Sequence, residues 1–201
     1  MTLSLPERLA MLMPPSVFYP RRIAQEARTG EPELAVLAEL VPRAGIAVDV
    51  GANVGFFAYA LADIALSDQG VLLHLAGSLK RSHVQFRNIK SYNVEIGTLD
   101  EAGLRGVRFV KADVEGSERE VLDGARATIA RDRPIILLEL LSGTHVNPAA
   151  DTAAICESFG YEAFIVQRVQ KIAALPTIFA LGENTSWGTD IESRNVLFLP
   201  R

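Results

Sequence analysis

Apolar residues recur at helical spacing in Glu33–Leu40 (ELAVLAEL), and Pro42 closes the run, so the chain predicts a helix there. A short apolar run, Ile46 to Val50, then enters the turn Gly51-Ala52-Asn53-Val54-Gly55, and Phe56 to Ala62 continues as a helix. Strand, glycine turn and helix form the opening unit of a doubly wound sheet. Gly70–Leu75 and the alternating Tyr92–Ile96 read as strands. After Gly106 the pattern sharpens: Val107–Ala112 predicts a strand and Ser117–Arg131 an amphipathic helix. Pro134 introduces Ile135–Leu141 (IILLELL), whose unbroken apolar content marks a strand covered on both faces. Asp151–Phe159 predicts a helix stopped by Gly160. Tyr161–Val166 and Asn195–Leu199 predict the last two strands, suited to an antiparallel edge, with a polar loop around Glu183–Asp190 between them. Residues 1–30 form a weakly patterned lead-in, broken by Pro6, Pro14, Pro15 and Pro20, ahead of one domain over 31–201. The alternation predicts α/β architecture with a mostly parallel sheet.

Composition narrows the partner. At 201 residues the chain suits a single domain with a genuine core. Its formal net charge of −4 offers no global attraction to nucleic acid or to an anionic membrane, so a small-molecule partner is expected. Lys80, Arg81, His83, Arg87 and Lys90 cluster locally, and a solvated face or a patch for an acidic substrate explains them more simply than nucleic acid does. The lone Cys156 excludes an internal disulfide and reads as core packing on a helix. Trp187 reads as a loop aromatic capping the core. The apolar patch Leu9–Met13 is too short for a secretory signal or a membrane span, so a cytoplasmic location is expected.

The glycine turn sits where an open parallel sheet binds ligands, beyond the carboxyl ends of its strands. Gly51 lets backbone come close to a ligand, Gly55 permits tight packing where the helix begins, and the helix start offers free N–H groups. Asp49 places an acceptor beside the turn, suited to an ammonium or hydroxyl group and poorly suited to a diphosphate. Asn53 replaces the middle glycine of a dinucleotide fingerprint, which disfavours a nicotinamide or flavin dinucleotide. The same turn also serves as a plain strand-to-helix connection that binds nothing.

The second motif, Phe109 to Glu118 (FVKADVEGSE), puts Asp113 and Glu115 at a strand end and Glu118 in the first helical turn. A carboxylate in a first helical turn gains about 0.3–1 kcal/mol from the helix dipole, which accounts for Glu118 and Glu120. It does not account for Asp113, at the ligand-binding edge. VDVGANVGFFAYALA, then FVKADVEGSEREVLDGA, then RPIILLEL resemble the FkbM-type methyltransferase family, as do GEPELAVLAELV, the elements IALSD and TLD, and the closing NVLFLP. The resemblance implies a Rossmann-like methyltransferase fold with S-adenosyl-L-methionine as cofactor. It also implies methyl transfer to a hydroxyl oxygen of a sugar or other small molecule. By position it assigns Asp49, Gly51, Asn53 and Gly55 to the methionine part of the cofactor, and Asp113 and Glu115 to the reacting centre. Asp113 is the first candidate for the general base, with Glu139 on a strand end and His145 in the loop after it as further candidates. An exposed structural loop histidine is an equal reading of His145. Asp113, Glu115 and Glu139 are oxygen donors, yet no tight ligand spacing points to a metal.

The chain departs from the family in one place. The family's first helix is normally followed by a second strand ending in an acidic residue that binds the cofactor ribose. Here Phe57 to Ala62 runs directly into Asp63-Ile64-Ala65-Leu66-Ser67-Asp68. A fold shortened by one strand–helix unit is therefore expected, without that carboxylate and with one sheet neighbour of the first strand gone. A charged hydrogen bond of this kind is worth about 1.5–3 kcal/mol, so cofactor affinity falls by one or two powers of ten unless Asp63 or Asp68 substitutes. Two functions follow: an O-methyltransferase with a shortened site, or a non-catalytic remnant or binding module that keeps the fold. Both rest on the tips at 49–55 and 113–115 converging on one cavity.

Overall fold

The computed structural model describes residues 13–29, 31–51, 55–66, 71–75, 97–141, 145, 147–167, 170–173 and 193–201. In chain order its elements are α1 (Pro15–Thr29), α2 (Glu33–Leu40), β1 (Ile46–Val50), α3 (Phe56–Leu66), β2 (Val71–Leu75), β3 (Val107–Ala112), α4 (Glu118–Asp123), α5 (Arg126–Asp132), β4 (Ile135–Glu139), α6 (Pro148–Phe159), β5 (Tyr161–Gln167), β6 (Gln170–Ala173) and β7 (Asn195–Pro200). The described strands form one seven-stranded sheet in the order β2-β1-β3-β4-β7-β5-β6. Pairing is parallel through β2-β1-β3-β4 and antiparallel through β4-β7-β5-β6, as the expected antiparallel edge requires.

Period-2 alternation divides the central strands between two cores. Val48, Val110, Ile136, Leu138, Val196 and Phe198 face one way, where Leu122, Ile129 and Ile155 of α4, α5 and α6 cover them. Ala47, Phe109, Leu137 and Leu197 face the other way, against Leu34, Leu37 and Leu40 of α2 and Phe57 and Leu61 of α3. Helices on both faces explain why β4 reads as unbroken apolar sequence: Ile136, Leu137 and Leu138 are all fully buried.

Four features differ from the sequence expectation. The lead-in contains α1, a helix of 15 residues with Pro20 inside it. Proline there forfeits a backbone bond, and tertiary contact outweighs that cost: Ile23 and Ala27 pack on the core, and Tyr19 stacks on Tyr59 with ring centroids 4.6 Å apart. The single helix expected over Ser117–Arg131 is two, α4 and α5, divided at Gly124. Gly124 accepts a backbone bond from Asp100 at 3.0 Å, and Asp100 caps α5 in turn through the N–H groups of Ala127 and Thr128, at 2.9 and 2.8 Å. β6 forms a hairpin partner for β5 that the apolar pattern did not signal. Finally, β1 keeps two neighbours. β2 lies parallel to it, from Ile46↔Val71 to Val50↔Leu75, so the sheet closes where the loss of a neighbour was expected. The strand expected at Tyr92–Ile96, the Lys80–Lys90 cluster and the polar loop with Trp187 lie outside the described residues.

Candidate active site

The carboxyl ends of β1, β3 and β4 lie side by side, and the two sequence motifs meet there. Asp113 donates its backbone N–H to the carbonyl of Val50 at 3.0 Å. Gly51 has φ +82°, and a Cβ built on it would stand 1.8 Å from the carbonyl oxygen of Asp113. Only glycine fits there, because both the backbone conformation and the close approach exclude a side chain. Asp49 is fully buried on β1, in register with His74 of β2 on one side and Lys111 of β3 on the other. Gly55 also has φ +82°, and the Tyr19 hydroxyl of α1 lies 3.9 Å from where its Cβ would be. The lead-in helix thus borders the glycine turn. Asn53 lies outside the described residues.

The second tip holds a pair of carboxyl groups. Asp113, just past β3, and Glu139, at the end of β4, stand at adjacent strand ends. Burial pushes the Glu139 carboxyl up to about 8, helped by the neighbouring Asp113 and by the charge of Glu115, while Lys111 opposes the rise. Lys111 is 3% exposed, and its Nζ stands 3.2 Å from Asp113 Oδ2 and 4.7 Å from the centre of the Phe57 ring. Glu31, between α1 and α2, feels both Lys111 and Asp113, and burial raises its pKa. Glu33 opens α2 fully buried, accepting from the Ser193 hydroxyl and, at 3.3 Å, from Asn195 Nδ2. Burial lifts its carboxyl to about 7, only partly offset by the Ser193 and Asn195 bonds. Asn195 opposes Glu139 in the β4–β7 register. Glu115 is exposed, with φ +56°.

Lys111, Glu31 and Glu33 escape a motif-based reading. For Lys111 a signal exists: a lysine between apolar neighbours in a covered strand is out of place unless it is paired. Glu33 carries none, since it looks like any acid in a first helical turn.

His145 stands elsewhere. Its Nε2 is 2.7 Å from Glu118 Oε2, and its Nδ1 is 3.3 Å from Asp151 Oδ2. Glu118 is fully buried and accepts the N–H groups of Val114 at 2.9 Å and Gly116 at 3.3 Å. Burial opposes its charge, but the bonds from His145 and from Val114 outweigh that and hold its pKa below the ordinary carboxylate value. The bond to Glu118 in turn raises the pKa of His145. Glu118 therefore does more than complement a helix dipole: it ties the 114–116 turn to α4 and to His145. A groove of about 460 Å³ opens beside this clamp, lined by residues that include Gly116, His145 and Asp151.

Residues 31–163 match the Methyltransferase FkbM domain family, the greater part of the chain. The chain belongs to the FkbM methyltransferase family. Comparison with curated proteins and with solved structures gave no significant match.

An FkbM methyltransferase of Rossmann-like fold requires a methyl donor, and the residues at the edge fit one end of such a molecule. Asp49 supplies a buried carboxylate just before the turn, and Gly51 is packed against the Asp113 carbonyl. The other end differs. Among the described residues, β2 reads VLLHL and contains no carboxylate. Asp63 lies within α3, and Asp68 is outside the described residues. Among the described residues, no helix is long and apolar enough to cross a membrane.

Proposed function

We propose that this FkbM domain transfers a methyl group from S-adenosyl-L-methionine to a hydroxyl oxygen of a small molecule, a sugar or a comparable polyhydroxylated compound. The observation that carries the reading is the meeting of Asp113 with the glycine turn of β1, its N–H bonded to the Val50 carbonyl and its own carbonyl packed on Gly51. Asp49, Gly51, Asn53 and Gly55 hold the amino-acid end of the donor. S-adenosyl-L-methionine, when bound, supplies an electrophilic methyl group on a sulfonium centre.

The chain's own residues then orient the acceptor and remove its proton. A hydroxyl becomes a competent nucleophile as its proton leaves, and a positioned base contributes about 10²–10⁴-fold to such a step. Asp113 accepts the hydroxyl hydrogen as the acceptor oxygen takes the methyl group, and Glu139 stands beside it at the neighbouring strand end. With its carboxyl at about 8, Glu139 holds its proton at neutral pH and loses it above that value. Base strength near the working pH is what proton removal from a hydroxyl needs. Glu115 lies at the rim, and its charge adds to the same pair. His145, bound by Glu118 and Asp151, orients the turn rather than the acceptor.

The deciding experiment is calorimetric titration with S-adenosylhomocysteine, followed by release of that product from the donor across a panel of hydroxylated acceptors. Saturable binding that weakens at least tenfold in Asp49→Ala is expected, as is turnover that climbs with pH through about 8. No heat and no thermal shift at millimolar ligand would sink the reading and leave a protein that keeps the fold without the reaction.

A further inference from the structure

Three aromatic neighbours fix the half-buried Tyr19 ring of α1. It stacks on Tyr59 of α3, with ring centroids 4.6 Å apart and planes 9° from parallel, and meets Phe56 and Phe18 edge-on at 6.3 and 5.3 Å. That packing needs only the ring, and phenylalanine would supply it as well. The hydroxyl adds something the stack does not require: it stands beside the glycine turn, 3.9 Å from where a Cβ on Gly55 would be. Among the described residues other than its chain neighbours, no second heavy atom comes within 4 Å of that point. Gly55 closes the turn with φ +82°, and its carbonyl accepts the N–H of Tyr59 at 2.9 Å. The turn and the ring on which Tyr19 stacks therefore belong to one rigid frame. The matched family domain begins at residue 31, so α1 lies ahead of it, and no position assigned by the resemblance is on this helix.

We infer that Tyr19 belongs to the cofactor site, its hydroxyl donating a hydrogen bond to the carboxylate at the amino-acid end of S-adenosyl-L-methionine. This rests on the proposed binding of that end at the glycine turn and adds a contact from outside the family domain. The amino-acid end carries an ammonium and a carboxylate. The buried Asp49 is the acid of the turn and matches the ammonium. A carboxylate needs donors instead, and a phenol O–H is one. The first turn of α3, an 11-residue helix, brings backbone N–H groups to the same corner. A ring held by three aromatic neighbours also presents its oxygen with little conformational freedom left to lose on binding.

The test is calorimetric titration of the full chain with S-adenosylhomocysteine and with S-adenosyl-3-thiopropylamine, the same molecule without its carboxylate. Tyr19→Phe keeps the aromatic stack, so its thermal melt should match wild type. Its dissociation constant for S-adenosylhomocysteine should rise about tenfold or more, as loss of a hydrogen bond to a charged group requires. Its constant for S-adenosyl-3-thiopropylamine should not move. Equal affinity of variant and wild type for S-adenosylhomocysteine would overturn the inference. So would a loss of the same size for both ligands, the mark of a hydroxyl that only shapes the turn. Should the phenylalanine variant misfold, the unmodified protein decides: the Tyr19 Cζ carbon-13 resonance must move on saturation with S-adenosylhomocysteine and much less with the amine. An identical response to both is equally fatal. A wild type that binds neither ligand removes the proposed function and this contact with it, whereas binding to which Tyr19 is indifferent removes the contact alone.

Discussion

Two acidic clusters sit at either end of one short segment, and they behave oppositely. Glu139, with Asp113 at the neighbouring strand end, lies where burial and like charge push its carboxyl up to about 8. A few residues on, Glu118 is buried at least as deeply, yet its pKa is held down because two backbone N–H groups and His145 satisfy it. Residue type and local sequence are nearly the same. What differs is the supply of donors among the described residues: Glu118 accepts from two backbone N–H groups and His145, whereas Lys111 reaches Asp113 alone. A saturated carboxylate is a structural anchor, and an under-supplied pair is free to exchange a proton with a ligand.

Exchange of one member in each cluster should separate those roles. Asp113→Asn is expected to lower methyl transfer by about 10²–10⁴-fold, since a base is lost, while thermal unfolding moves by only a few degrees. Full activity in this variant would end the case for the pair. Glu118→Ala should do the reverse to stability. It strands the N–H groups of Val114 and Gly116 together with His145, at a cost of about 3 kcal/mol or more and a Tm lower by roughly 10 °C. A melt unchanged by Glu118→Ala would mean that the clamp is ornamental.

The same contrast explains what the sequence made legible. The β1–turn–α3 unit and β3 could be read because their apolar periods and glycines are local signals, and Ala47 to Val50 and Val107 to Ala112 form strands as expected. The convergence of Gly51 on Asp113 followed from parallel strand order. The Lys111–Asp113 pairing and the Glu33–Ser193 bond were not legible as contacts, the second because its partners lie 160 residues apart. Helix α1 was hidden by its prolines, whose cost is outweighed only by contacts such as Tyr19 on Tyr59 that no local pattern contains. Gly124 broke an amphipathic stretch because Thr98 and Asp100 pack against it from outside.

Glu33 extends the comparison to pH. Its folded value of about 7 lies above the ordinary 4.5, so the folded state holds the proton more tightly than the unfolded chain does. Stability from this group is fully present below about 4.5 and is lost as pH rises toward 7. Glu33→Gln keeps one oxygen to accept from Ser193 or Asn195, without any charge to bury. It should therefore stabilise the protein by about 2–3 kcal/mol at pH 8 and by little at pH 4.5, as urea unfolding at both values would measure. A gain independent of pH would point to packing instead of charge.

His145 should give a slope of the same sign, at smaller amplitude and over a higher pH window. Its pKa is raised from 6.5, so its ionised bond to Glu118 contributes fully below 6.5 and is lost as pH climbs through the raised value. Glu118, lowered from 4.5, contributes above 4.5 and loses its part as pH falls through its own depressed value. The clamp is therefore tightest between those two ordinary values. Glutamine in place of His145 still donates to Glu118 but carries no charge, so His145→Gln should cost about 1–2 kcal/mol near pH 6 and progressively less at alkaline pH. Urea midpoints for this variant and for Glu33→Gln, taken over one pH series, should thus diverge from wild type at opposite ends. Two variants that depart from wild type at the same end of the series would mean that the buried Glu33 carboxyl and the ionised His145 bond do not act on stability through their charges.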